Sequence, residues 1–517
     1  MGESFDFLTV VCVRKAHPAG VSDPTPARTN QYDGINLKGR SASPNDRISN
    51  VTIRSLTACR LTNLHMMQPS QDQCEPSTVP VEDRSELVSS LAPTGALRIA
   101  LTSYRSKPHC GGQGVYVRHL SRELVALGHR VEVFSGPPYP ALDQGVVLTQ
   151  VPSLDLYAEP KPFRVPRPSE FRDRTDLLEF ATMCTAGFPE PRTFSRRVAP
   201  LLSARAREFD VVHDNQGLGP ALLDVTRAGL PLVATIHHPI SVDREVEIGA
   251  APWYRQLVLR RWFGFVRMQA HVARQIDHVL VPSRSSAQDA IRDFDLQPRQ
   301  LHVVPMGVDT DLFHPRGRRV PGHIVALCSA DVPLKGLTVL LRALAALPVE
   351  QDAHLTVVSK PAPGGKTEQL VAALGLGTRV HFASGLSDLD IAELMASAEV
   401  ACVPSLYEGF SLPAVEAMAS GTALVASDVG ALSEVVGRDG GAGVLVPAGD
   451  AGALTAAIAD LLGDSTRRAA IGVAARVRVQ ERFSWTATAQ ATVDVYRQAI
   501  TDAESGRTPD PLPVAQC

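Results

Sequence analysis

Two glutamates with seven residues between them, Glu408 and Glu416, stand in the stretch SLYEGFSLPAVEAMASGTALVASDVGALSEVVG (405–437). Glu408 follows an apolar, strand-like run, and Pro413 favours the first turn of a helix that would carry Glu416. One carboxylate is therefore expected on a loop and the other on a helix, both able to face one pocket. Between them the backbone amides of Gly409, Phe410, Ser411 and Leu412 gather at a helix N-terminus. Unsatisfied N–H groups and the positive end of the helix dipole suit a diphosphate there. Ionised carboxylates beside such a site accept hydrogen bonds from the hydroxyls of a sugar or a ribose. Taken alone, the pair also reads as one helix-stabilising residue and one solvated acid, so the surrounding chain has to decide.

Other residues with chemical potential lie elsewhere. CGGQG (110–114) places Gly111 and Gly112 between a strand-like and a helical segment, where glycine lets backbone approach a phosphate closely. His237 and His238 end the apolar run ATIHHP, Lys335 sits in PLKG (333–336), and Lys360 closes LTVVSK. Asp388 and Asp390 form a DxD pattern, but they open a helical segment, where aspartates act as caps. The eight cysteines, at 12, 59, 74, 110, 184, 328, 402 and 517, form no CxxC pair, which reads as reduced thiols, with Cys328 and Cys402 as small buried hydrophobes. No metal site is expected from them.

The elements that must position these residues alternate. LRIALTS (97–103), the Gly-rich loop, a helix with Val117, Leu120, Leu124 and Leu127 at helical spacing, and VEVF make a strand–loop–helix–strand unit. FDVVHD (209–214), PLVATIHH (231–238) and HVLVPS (278–283) extend the series. A second series follows from 323: HIVALCS, LTVVSK, RVHFAS, VACVPS, ALVASD and GVLVP, with helices expected over 335–347, 366–374 and 388–398. The pattern predicts two doubly wound parallel-sheet domains in tandem. Ligands of such sheets bind at the carboxyl ends of the strands, so two facing sheets enclose a cleft.

The boundaries read from this pattern are an N-terminal Rossmann-like domain over 96–310, a second over 311–483, and a helix over 484–503 returning to the first. Residues 303–319 serve as the connection and 155–195 as an insertion with a helix near 174–183. Residues 1–95 and 504–517 are polar and lack periodicity, as disordered segments do. Met66 or Met67 is an alternative start. Lys plus Arg total 51 and Asp plus Glu 54, so net charge gives no general pull toward nucleic acid. No run reaches the apolar length of a membrane span, and FLTVVCV near the start is too short for an export signal. A cytoplasmic location is expected. The segment 253–275 mixes arginines with aromatic and aliphatic residues; it reads as a core-packing helix, with peripheral contact to the inner face of an anionic membrane as the alternative.

The segment from Glu408 through Glu416 and AMASG (417–421) resembles the signature of retaining family 4 glycosyltransferases (glycosyl transferases group 1), which have the GT-B fold. The resemblance runs over about 96–503, with GGQGVYV, VPSRSSAQDAI (281–291) and VVPMGVDTDLF (303–313) as further points. It implies transfer of a hexosyl unit from a nucleoside diphosphate sugar to an acceptor hydroxyl with retained configuration, without a metal or other cofactor. It assigns Glu408 to hydroxyls of the donor sugar, Glu416 to the ribose, Lys335 to the diphosphate, Gly111 and Gly112 to the glycine loop, and His237 to a hydrogen bond with acceptor or reacting sugar. His238 is the adjacent candidate. Many family members carry Gly-Arg five residues before the lysine; here Ser329 and Ala330 stand there, and Lys360 is the candidate replacement. Ala330 leaves room for a non-catalytic nucleotide-sugar-binding or scaffold protein of the same fold, and a sugar-nucleotide epimerase is a third reading. UDP-glucose, GDP-mannose and UDP-N-acetylglucosamine all fit as donors. A lipid carrier, a polysaccharide end or a small metabolite all fit as acceptors.

Overall fold

The computed structural model describes residues 95–106, 112–158 and 162–506, all within one compact unit. The expectation of disorder over 1–95 therefore falls, Gly95 apart, outside the described residues, as does most of 504–517.

Two parallel sheets carry the chain. The first comprises β1 (Arg98–Ser103), β2 (Arg130–Ser135), β3 (Val147–Gln150), β4 (Val211–Asn215), β5 (Leu232–Thr235), β6 (His278–Val281) and β7 (Leu301–Val303), in the order β3-β2-β1-β4-β5-β6-β7. The second comprises β8 (His323–Ala326), β9 (His354–Val358), β10 (Val380–Ala383), β11 (Val400–Val403), β12 (Ala423–Ser427) and β13 (Val444–Val446), in the order β10-β9-β8-β11-β12-β13. The central strands are buried because helices cover both faces, and most are apolar runs, while β4 ends on the buried polar residues His213, Asp214 and Asn215. Leu101 sits opposite His213 in register, and every residue of β4 and β11 is buried.

In each sheet the strand order reverses once, between β1 and β4 and between β8 and β11. Loops leaving neighbouring strands on the two sides of such a point turn in opposite directions and open a crevice. Gly112 follows β1 and Asn215 ends β4; Lys335 follows β8 and Glu408 follows β11. Of the residues singled out by their chemistry, Gly112, Lys335 and Glu408 therefore lie at the two switch points, while His237 follows β5 and Lys360 follows β9.

The chain passes between the lobes twice, after β7 and again near Phe483. There Val308 N–H donates to the Phe483 carbonyl at 2.9 Å, and Val308 and Ser484 form a parallel bridge. The final helix, Trp485–Ser505, packs on helix Gly112–Ala126 and on β4, β5 and β6. Tyr496 Oη on it lies 2.6 Å from His213 Nδ1, both fully buried.

Several local expectations change. The edge strands β3 and β7 are too short and too mixed in polarity for periodicity to reveal, and Val303 belongs to β7 rather than to the connection. The segment 253–275 is two helices, Trp253–Trp262 and Gly264–Ala273. Only the second contributes buried residues; Trp253, Tyr254 and Leu257 of the first are exposed. The N-cap of helix Asp388–Ser397 is Ser387, with Asp390 completing the capping box, so Asp388 is not a cap. The insertion holds helix Arg174–Cys184 and runs into helix Glu190–Ala204. No helix among the described residues is long and apolar enough to cross a membrane.

Candidate active site

Lys335 ends a single turn, Pro333–Lys335, and Gly336 follows at φ +67°. That left-handed turn presses Gly336 onto the loop after β11: a Cβ there would lie 1.9 Å from the Pro404 carbonyl oxygen, so no side chain fits. Leu406 N–H donates to the Leu334 carbonyl at 2.8 Å and fastens the two loops together. The fastening brings Lys335 Nζ within 2.8 Å of Glu408 Oε1. Ser405 Oγ donates to the same oxygen at 2.8 Å. Both donors converge on Oε1, which leaves Oε2 to accept from a ligand hydroxyl. Glu408 is buried while Lys335 is more than one-third exposed, so the cation stands at the open side of the pair.

The helix that follows, Leu412–Ala419, is capped by Ser411 Oγ accepting from Ala414 N–H, with Pro413 in its first turn. Glu416 lies half-buried on it. Burial pushes its carboxyl up to about 7, and the nearby Asp388 carboxylate adds to the rise. Asp388 itself pairs across the cleft with Arg118 at 3.4 Å. Phe410, expected at the donor site, turns its ring away into the protein, 6.0 Å from that of Phe483. Of that residue, the backbone amide is what the loop can present.

Across the cleft, His237 ends the run beyond β5. Its Nε2 lies 2.8 Å from Asn215 Oδ1, and Asn215 Nδ2 donates to the Gln113 carbonyl. Because that carbonyl can only accept, the Asn215 amide oxygen must face the imidazole, and Nε2 must carry the proton. Nδ1 is then the ring's acceptor. Burial pushes the His237 pKa down to about 3, with His238 adding to the effect, so the ring is neutral at physiological pH. Gln216 brackets the two histidines, its Oε1 accepting from His237 N–H and its Nε2 donating to the His238 carbonyl. Gln216 has φ +54°, a costly conformation held here by the buried Asp214 carboxylate, which accepts from Leu218 N–H and Thr102 Oγ. His238 instead pairs with Asp243 at 3.2 Å.

The loops of the two lobes meet directly. The Gly409 carbonyl accepts from Ser283 Oγ and Ser286 Oγ, each at 2.8 Å. A Cβ on Gly409 would lie 2.9 Å from the His237 carbonyl oxygen. Tyr407 Oη donates to Asp289 at 2.7 Å, and the Glu434 carboxylate accepts from the backbone N–H groups of Arg284 and Ser285 at the start of helix Arg284–Phe294. The loop bearing Glu408 is thus set against the lobe that bears His237.

Glu408, Gly409, Ser411, Leu412 and Glu416 share the loop and helix after β11, Lys335 reaches that loop from the turn after β8, and the His237 carbonyl faces Gly409. Gly112 begins its helix, and Gly111 lies outside the described residues. Ala330 is buried, its N–H held by Ser359 Oγ and its carbonyl by Thr367 Oγ. Lys360 is exposed next to Ser359. Sequence reasoning missed Asn215, Gln216 and Ser405. A polar pair before glycine at the end of an apolar strand (VVHDNQG) was the available signal for the first two.

Comparison with known proteins places this geometry. Residues 110–312 match the family profile described as Glycosyltransferase Family 4, and 312–478 match Glycosyl transferases group 1. The MMP alpha-(1->4)-mannosyltransferase of Mycolicibacterium hassiacum is 60% identical over 405 residues, 78% of this chain and 98% of the relative. A D-inositol 3-phosphate glycosyltransferase of Kineococcus radiotolerans is 30% identical over 461 residues, 80% of this chain and 98% of the relative. Among solved structures, the sucrose-phosphate synthase of Thermosynechococcus elongatus superposes with a TM-score of 0.61 at 25% identity, covering 78% of this chain and 99% of that one. With both lobes matched, two parallel sheets present and the Lys335–Glu408 pair standing at the switch point of the second, the chain belongs to glycosyltransferase family 4 and is a glycosyltransferase of GT-B fold.

Proposed function

We propose that the chain transfers a mannosyl residue from a nucleoside diphosphate mannose to a sugar hydroxyl, the 4-hydroxyl of a mannosyl acceptor, with retention of configuration. The observation that carries this reading is the convergence of Lys335 and Ser405 on one oxygen of Glu408, which leaves the other free for a sugar hydroxyl, opposite a neutral His237. The sugar and linkage are supported by the 60% identical relative, whose name specifies an α-(1→4)-mannosyltransferase.

Lys335 and the amides of Gly409 to Leu412 meet the charge that grows on the leaving phosphate. Glu416 holds the ribose, and Lys360 takes the part left open by Ala330. Glu408 Oε2 and His237 Nδ1 accept from donor-sugar hydroxyls and fix the anomeric carbon. A neutral histidine with a pKa near 3 is a poor general base, so the departing phosphate oxygen takes the acceptor proton on the same face. Retention follows from that front-face attack. Closure of the lobes limits hydrolysis of the donor. The exposed Trp253, Tyr254 and Leu257, beside Arg260 and Arg261, favour peripheral contact with an anionic membrane as a second feature. Sedimentation with anionic vesicles, with and without Trp253→Ser, tests it.

The test of the main reading is to incubate the protein with GDP-mannose, UDP-glucose and UDP-N-acetylglucosamine and a short α-mannoside acceptor, then determine the product linkage and anomeric configuration by NMR. An α-(1→4)-mannoside is expected. A β-linked product, exclusive use of a different sugar, donor binding without transfer, or donor isomerisation without acceptor would overturn it.

A further inference from the structure

A cavity of about 590 Å³ lies at the junction of the lobes, behind the donor loop. Three arginines line it. Arg284 comes from the start of helix Arg284–Phe294 in the first lobe, and Arg478 and Arg482 come from helix Ser465–Arg482 near the second crossing. Phe410 and Phe483 form part of the apolar floor, and Glu434 is the acid that lines it. None of Lys335, Glu408, Glu416 or His237 borders this space. It is therefore separate from the donor crevice, although Phe410 lies two residues from Glu408.

The charges in this cavity are not balanced from within. The Glu434 carboxylate is already occupied by the two backbone N–H groups of Arg284 and Ser285. Arg478 uses part of its guanidinium on the carbonyls of Glu434 and Val435. Burial and the nearby Arg482 both lower its pKa, with Asp439 and Glu481 acting the other way. Arg284 and Arg482 are exposed, and among the described residues neither guanidinium has a hydrogen-bond or ion-pair partner. Arginine presents paired N–H donors suited to phosphate oxygens, and the volume is that of a small-molecule site.

We infer that this cavity is a second anion site, which takes a small molecule bearing a diphosphate or two phosphate groups and ties the two lobes together through Arg284 on one side and Arg478 and Arg482 on the other. A ligand held by both lobes has different affinities for their different arrangements, so it biases the opening of the donor crevice.

The test is calorimetric titration of inorganic pyrophosphate into the full chain already saturated with GDP. A single further binding event is expected. Its affinity should fall at least tenfold in the Arg284→Ser/Arg482→Ser double variant, whose substitutions are at exposed positions and whose GDP affinity and melting temperature serve as the folding control. The same event should persist in Lys335→Ala, where the donor cradle has lost its cation; this separates the second site from the proposed donor site. No event in the wild-type chain, an undiminished event in the double variant, or its disappearance in Lys335→Ala would each overturn the inference.

Discussion

Replacing Glu416 by glutamine moves stability and nucleotide affinity in opposite directions, and both changes depend on pH. Glu416 is half-buried, and its carboxyl rises from an ordinary 4.5 to about 7, through burial first and Asp388 second. Below about pH 4.5 the group is protonated whether the chain is folded or not, and it contributes nothing. Between 4.5 and 7 the folded chain holds a proton that the unfolded chain has released, so stability falls as pH rises. Above 7 the whole cost of ionising the buried carboxyl is present, at most about 3 kcal/mol. Because the side chain is not sealed from water, about 2 kcal/mol is the working figure. Glutamine has no charge to bury. At pH 8 the Glu416→Gln chain should therefore melt roughly 4–8 °C higher for a lobe of this size, and at pH 4.5 the two chains should melt together. A carboxylate that accepts from ribose hydroxyls is worth roughly 1.5–3 kcal/mol, so at pH 8 the same variant should bind GDP about tenfold or more weakly. In the wild-type chain GDP affinity should rise from pH 5.5 to 8 as the carboxylate forms. Scanning calorimetry and GDP titration at the two pH values read both effects. A variant that is no more stable at pH 8 and binds GDP like the wild type would refute the placement of Glu416.

Lys335→Ala should lower kcat about 100–1000-fold, the loss typical of removing one stabiliser of transition-state charge, with little change in far-UV circular dichroism; a loss under threefold would count against its role at the diphosphate. Gly409→Ala places a methyl group 2.9 Å from the His237 carbonyl and the His238 Cβ, so it should push the lobes apart, reducing turnover while each lobe stays folded; wild-type kinetics would contradict the interlobe contact. His213 is fully buried between Tyr496 and Thr235, and burial holds its pKa down at about 3. The folded chain then binds fewer protons than the unfolded chain below about pH 6.5, so stability is complete above that value and is lost as pH falls toward 3. A His213→Gln chain should show a flatter decline in chemical-denaturation midpoint between pH 6.5 and 5, and equal slopes would argue against a neutral His213.

How much of this could be read from the residues depended on the range of the interactions. The strands were legible because burial on both faces makes most of them apolar runs, as in VACV over 400–403, and the Glu408–Glu416 segment was legible because its loop, proline and helix lie close together in the chain. The edge strands were not, since half-exposed residues such as those of Val147–Gln150 carry no run. The orientation of His237 was not legible either, because it rests on Asn215 and Gln216 more than twenty positions away. Helix position alone suggested that Asp388 is a cap; its pairing with Arg118 arises only from the approach of two lobes. The junction cavity draws on 282–284, 303–305, 410, 431–435 and 478–483, and no local window contains it.

The most direct measurement is a crystal structure of the protein with GDP-mannose bound. The β-phosphate should lie within hydrogen-bond reach of Lys335 Nζ and the amides of Gly409 to Leu412, with mannose hydroxyls on Glu408 Oε2 and His237 Nδ1 and the ribose on Glu416. A nucleotide bound away from these residues, or a sugar turned from Glu408 while the pair with Lys335 stays intact, would contradict the account.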